Sequence, residues 1–183
     1  MSRYVKFLVA AAMTVAIALT FAAAQSPRVS AQTDNKALAQ AWIDALNAGF
    51  KADDTSVVLA LYDSSYTDPN IPAGVKAQDY MKAVLDSQFK AIPDGKFTVK
   101  YMLAEGDKVA IYSTFAGTNT GSLGGLDATG KAIKDVKSID ILTFNSAGKI
   151  TADDNVTDQV SLFSQLGFTI TPPKPAAAAT AAK

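Results

Sequence analysis

The chain contains no histidine and no cysteine, and only one tryptophan. Without cysteine there is no disulfide, no thiolate nucleophile, no Cys-based zinc site and no lipoprotein anchor. Without histidine the usual neutral-pH proton shuttle and the commonest metal ligand are missing, and a Ser-His-Asp triad is impossible. Any acid/base chemistry therefore falls to Asp, Glu, Tyr or Lys. Net charge is also missing: seventeen basic side chains balance seventeen acidic ones. A neutral chain offers no basic field for phosphate, so neither nucleic acid nor anionic lipid is expected as a partner. What is present is apolar mass, 49% of 183 residues, enough for one sizeable core.

The two ends differ from the middle. Arg3 and Lys6 precede an uncharged run from Phe7 to Ala24, followed by small residues in "AAAQ" and "RVSAQ". This is the pattern of a signal peptide, residues 1–31, with Ala31 as the first choice of cleavage site and Ala24 as the second. The run is also just long enough for a membrane anchor, but its alanine content and two processing-type sites favour cleavage. The expected location is periplasmic or secreted, with no membrane association after cleavage. At the other end, "TPPKPAAAATAAK", residues 171–183, cannot bury a core and reads as a disordered tail. The folded domain is expected over residues 33–170.

Within it, Leu38, Trp42, Ala45 and Phe50 fall at helical spacing with Gly49 as a stop. Asp53 or Asp54 can cap a short second helix ending near Tyr62. Met81, Leu85, Phe89 and Ile92 mark a longer third helix ended by "PDG". The period then changes to two. Phe97, Val99, Tyr101 and Leu103, then Val109, Ile111, Ser113 and Phe115, form a hairpin through "EGD". "KDVKSIDILTF" and "ITADDNVTD" give two more strands, and "SLFSQLGF" a last turn of helix. Helices first and a strand meander afterwards indicate an α+β fold, one curved antiparallel sheet wrapped around N-terminal helices and enclosing a pocket.

The segments "LAEGDKVAIYSTFAGTNTGSLGGLDATGK", "SIDILTFNSAGKI" and "TDQVSLFSQLGF" resemble the SnoaL-like polyketide cyclases and their ester-cyclase relatives, within the cone-shaped NTF2-like fold. They are similar to the family's "GD" turn, its "G-T-H-T-G" and "T-G-K" loop, its "D-I-F-R-F" strand with a "GKI" turn, and its "W-D-x-L-G-L-L-x-Q-L-G" ending. The resemblance implies a small apolar organic ligand, no cofactor, and aldol-type cyclisation or isomerisation of a carbonyl compound by acid/base catalysis. A homodimer through the sheet is also in keeping with this fold. By position it puts the catalytic Asp at Asp158. Strand alternation sets Ala152, Asp154, Val156 and Asp158 on one face, so Asp154 is expected beside Asp158 in the pocket, and Asp153 toward solvent. Asp158 equally suits a helix cap, and Asp154 a solvated edge charge.

Asn119 stands where the family's loop carries His, and Thr157 where it often carries Trp, so the chemistry must rest on Asp without His. Ketosteroid isomerases, on the same fold, work with Asp and Tyr. Asp140 shares the apolar face of its strand with Val136, Ser138, Leu142 and Phe144, and a buried acid is paired or functional. Tyr66, Tyr112 and Trp42 are candidates for lining the pocket, with core or rim packing as the alternative. The spacing of "GTNTGSLGGLDATGK" fits neither a P-loop nor a dinucleotide fingerprint, and nothing in the sequence supports a metal site. The competing reading is a non-catalytic small-ligand binding or carrier protein, which the missing His and the export pattern favour.

Overall fold

The computed structural model describes residues 34–169 and 171. The segment read as a signal peptide, residues 1–31, and the tail beyond Thr171 lie outside the described residues. The chain opens with helix α1, residues 34–52, which buries Trp42, Ile43, Leu46 and Phe50 along one side. Gly49 does not stop this helix. A Cβ there would lie 2.4 Å from the Phe89 ring, so glycine is what lets α1 approach the third helix so closely.

After a single turn, α2 (Ser56–Leu59), the chain enters strand β1 (Tyr62–Thr67). Tyr62 therefore begins a strand where helical spacing had placed a helix end. Helix α3 (Ala77–Ala91) buries Met81, Leu85 and Phe89 at the expected spacing. The meander follows as β2 (Lys96–Glu105), β3 (Lys108–Thr118), β4 (Ala132–Phe144) and β5 (Ile150–Thr157), closed by α4 (Gln159–Leu166). The sheet order is β1-β5-β4-β3-β2, antiparallel except at the edge, where β1 runs parallel to β5. The fold is α+β, a curved sheet with α1 and α3 packed into its hollow.

Irregularities in the ladders decide which side chains face the hollow, because one extra residue turns all that follow to the other side. In β2 the shift between Val99 and Tyr101 keeps Phe97 and Val99 inside but sends Tyr101 and Leu103 out and brings Met102 and Ala104 in. In β4 the register changes between Ile133 and Val136, around Asp135, which adopts a left-handed φ of 51°. In β5 Ile150 pairs with Phe144 but Ala152 pairs with Thr143, so Thr151 is the extra residue. The faces of β5 are consequently the reverse of simple alternation. Asp153, Asn155 and Thr157 sit opposite inward-facing Leu142, Asp140 and Ser138.

The core joins α1, α3 and the inner face of β3 and β4, with Phe89, Ile43, Ile111 and Leu142 fully buried. Phe50 lies at its centre, 4.5 Å from Phe89 and 5.6 Å from Phe115 between ring centroids. Each such side chain contributes about 1.5–3 kcal/mol by leaving water. Together they hold the helices off the concave face and leave space at its open end.

Candidate functional site

That space is a cavity of about 300 Å³, at the small end of the range for organic ligands. Its walls are apolar: Trp42 and Phe50 from α1, Met81 and Leu85 from α3, and Phe97 and Phe115 from the sheet. At its polar end the paired inner positions of β4 and β5 project side by side, next to Tyr62 and Tyr66 of β1 and to Asp68.

Asp140, only 4% exposed, is held there by its neighbours. Ser138 Oγ donates to its Oδ2 at 3.1 Å, and Asn155 Nδ2 donates to its Oδ1 in a short hydrogen bond. Thr157 Oγ1 in turn donates to Asn155 Oδ1 at 3.1 Å, which fixes the amide. Burial raises the Asp140 carboxyl above its ordinary range, and the two donors pull it partly back.

Asp153 lies one diagonal step away on the same face, a spacing of about 7–8 Å in an antiparallel pair. Its Oδ1 is shut off from solvent and has no protein hydrogen-bond partner among the described residues. Burial, then the charges of Asp140, Asp68 and Asp154, push its carboxyl up to about 8. Hydrogen bonds favour the anion at Asp140 and none does so at Asp153, so the proton of the pair goes to Asp153 in preference to Asp140.

Phenols complete the polar end. Trp42 Nε1 donates to Tyr62 Oη at 3.0 Å, which leaves the Tyr62 proton free to be donated. Tyr66 stacks edge-on against Tyr62, centroids 4.8 Å apart, and reaches Asp68 Oδ2 at 3.4 Å. Burial first, and the nearby Asp153 charge next, keep both phenols protonated well above their ordinary range.

A curved sheet closed by helices is the fold the sequence resemblance implied, and the family model of the SnoaL-like polyketide cyclases matches residues 36–166. The chain belongs to this family. Among solved structures it is similar to TsrD from Streptomyces laurentii, with 26% identity and a TM-score of 0.62 over 72% of this chain and 96% of that one. It is also similar to AclR from Streptomyces galilaeus, with 25% identity and a TM-score of 0.62 over 78% and 87% of the two chains. A SnoaL-like polyketide cyclase from Agrobacterium tumefaciens shares the fold at 20% identity, with a TM-score of 0.57 over 73% and 98%. No functionally curated protein matches the sequence.

The cavity of this SnoaL-like protein brings together some of the residues expected from the sequence and separates others. Trp42, Tyr66 and Asp140 line it. Asp158 does not: it is the N-cap of α4, its Oδ1 accepting from Ser161 N at 2.9 Å, and it is exposed. Asp154 is exposed on the outer face opposite Ile141, the extra residue at Thr151 having turned it away from the hollow. Tyr112 is also on the outer face, its ring 5.1 Å from that of Tyr101. Asn119 is buried but serves the loop after β3. It accepts from Thr129 N at 2.8 Å and donates to Gly121 O at 2.8 Å.

Asp153, read from the sequence as solvent-facing, is the inward acid, and Ser138, Asn155, Tyr62 and Asp68 were not singled out as site residues. The misleading signal is Val156, which suggests an inner face for its parity and is in fact 69% exposed. Between Ile150 and Val156 no large apolar side chain marks the turnover of faces. The usable signal was Asp140. Its hairpin partners had to supply donors, and only Asn155 among the nearby β5 residues carries an amide.

Proposed function

We propose that the protein is an exported enzyme of the SnoaL-like family that performs cofactor-independent acid/base chemistry on a small, mainly apolar carbonyl compound, by aldol-type cyclisation or isomerisation. The observation that carries this reading is the Asp140–Asp153 pair at the end of an apolar cavity, one carboxylate held by donors and one carboxylic acid without any. Asp140 takes the proton next to the carbonyl. Asp153 gives its own proton, or a hydrogen bond, to the carbonyl oxygen, so the enolate never carries its full charge beside Asp140. Both groups are diagonal neighbours on one rigid sheet face, which keeps acid and base at fixed separation. Tyr62 and Tyr66, protonated throughout the neutral range, are further donors at the same end.

The test is proton exchange at the α-carbon of a neutral ketone in deuterated water, followed by NMR. The wild type is expected to accelerate exchange, and Asp140→Asn to reduce the enzyme-dependent rate by roughly 100-fold or more, the usual weight of a general base. Equal rates with and without protein would sink the catalytic reading. The carrier reading would then lead, favoured by the predominantly apolar walls and by Asn119 in place of the family's His.

Export is proposed from the leader pattern of residues 1–31. Mass analysis of protein recovered from outside the cytoplasm is expected to show Gln32 as the first residue; a chain retaining Met1 there would contradict it. A homodimer is proposed through the outer sheet face, where Tyr101, Tyr112, Ile139 and Val156 form one continuous row across four strands. Sedimentation is expected to give twice the chain mass, and Val156→Lys to halve it.

A further inference from the structure

The charge of the cavity bears on what kind of molecule it takes. Asp68, Asp140 and Asp153 all line it, no Lys or Arg among the described residues does, and the chain has no His. An anionic ligand would meet two or three acids and no counter-charge. A ligand without a donor would leave Asp153 Oδ1 buried and unpaired, as it is now. The rings of Trp42, Tyr62, Tyr66 and Tyr80 lie in the same lining, and aromatic faces attract organic cations. A metal ion is a poorer fit, because among the described residues no three acidic side chains converge on one point.

We propose that the cavity takes a hydrophobic amine, its ammonium seated between Asp153 and Asp140 beside the Tyr62 and Tyr66 rings and its apolar body along Trp42, Met81 and Leu85. An N–H donated to Asp153 Oδ1 satisfies the one orphaned oxygen of the site, and the positive charge offsets the acids that no protein cation balances. The inference rests on the cavity being the ligand site and deepens the proposed function by naming its substrate class, a carbonyl compound that carries an amine.

Trp42 is the only tryptophan and lines the cavity, so intrinsic fluorescence of the full-length protein reports occupancy directly. Three probes of one shape, phenylpropylamine, phenylpropanol and phenylpropionate, are titrated against it. The amine is expected to bind at least roughly tenfold more tightly than the alcohol, the increment of one charge-assisted contact, with the carboxylate weakest. Asp140→Asn, which removes the anion of the pair, is expected to abolish most of the amine's advantage over the alcohol. Equal binding of amine and alcohol, preference for the carboxylate, or no response to any probe overturns the proposal. These outcomes come from the wild type alone, so they stand even if a variant fails to fold. Ketone exchange without amine preference would refute this inference and spare the catalytic reading. Amine binding without exchange would do the reverse.

Discussion

Asp153 and Asp154 are adjacent in the chain and face opposite sides of the same sheet. Asp153 looks into a hollow walled by Trp42, Tyr62 and Met81, has an oxygen with no partner among the described residues, and has its carboxyl pushed up to about 8 by burial. Asp154 stands in water on the outer face, in the row that also carries Leu103, Ala110 and Ile141. The chemistry of the two side chains is identical. Loss of hydration and the company of a second acid give the inner one its raised pKa. The outer face shows the complementary disposition, with apolar side chains such as Tyr101, Leu103 and Val156 exposed. At this end of the sheet acids point in and several apolar side chains point out, the inverse of what burial alone favours, while the rest of the inner face is the apolar core. Such an inversion is expected where one face serves a ligand and the other a partner.

The largest test of this difference is catalytic. Asp140→Asn keeps the shape of the inner face but removes its anion, and is expected to lower ketone exchange by roughly 100-fold or more, while Asp154→Asn on the outer face leaves the rate unchanged. Equal losses in both variants would mean that the two faces are not distinct in function.

Next in size is the pH dependence of stability. In the folded protein Asp153 keeps its proton up to about pH 8, whereas a free carboxyl gives it up near 3.8. Its folded-state pKa is raised, so folding binds a proton between these values. Stability is complete at the acid side, falls as pH rises through the window, and levels off above about 8. The groups facing Asp153 are Asp140, Asp68, Tyr62 and Tyr66, with Asp154 behind it. Neutral Asp153→Asn is expected to abolish this fall and to be more stable than wild type above pH 8, by on the order of a few kcal/mol. Thermal melts of both proteins between pH 5 and 9 would check this, and parallel curves would show that Asp153 is ionised in the fold.

A smaller effect separates the acid that caps from the acids that line. Asp158→Ala removes the acceptor for Ser161 N and is expected to cost about 1 kcal/mol of stability with no change in probe binding by Trp42 fluorescence. Weakened binding at unchanged stability would instead return Asp158 to the pocket. Smallest of all, Asp154→Asn should shift urea stability by less than about 0.5 kcal/mol at any pH, as exposed substitutions do.

The alternation of Val109, Ile111, Leu142 and Phe144 and the helical spacing of Met81, Leu85 and Phe89 are legible in the sequence because burial repeats with the period of the backbone. Asp140 was legible for the same reason, as an acid on an apolar parity. The sites after Val99, around Asp135 and at Thr151 were not legible. An extra residue in a strand leaves no mark unless apolar side chains on both sides of it report the change of face. After Thr151 the strand reads Ala-Asp-Asp-Asn, which reports nothing, and Val156 then reports the wrong side because it belongs to the exposed outer face.

The sequence by itself determined the chain's family, its α+β order of elements, the absence of His and Cys chemistry, and the inward position of Asp140. Tertiary structure alone decided that Asp153, and neither Asp154 nor Asp158, joins it. The identity of a strand is a local property of its residues, but its register depends on which partner it meets and where the ladder takes up an extra residue. A single such residue at Thr151 changes which carboxylate loses its water, and with it which acid holds a proton at neutral pH.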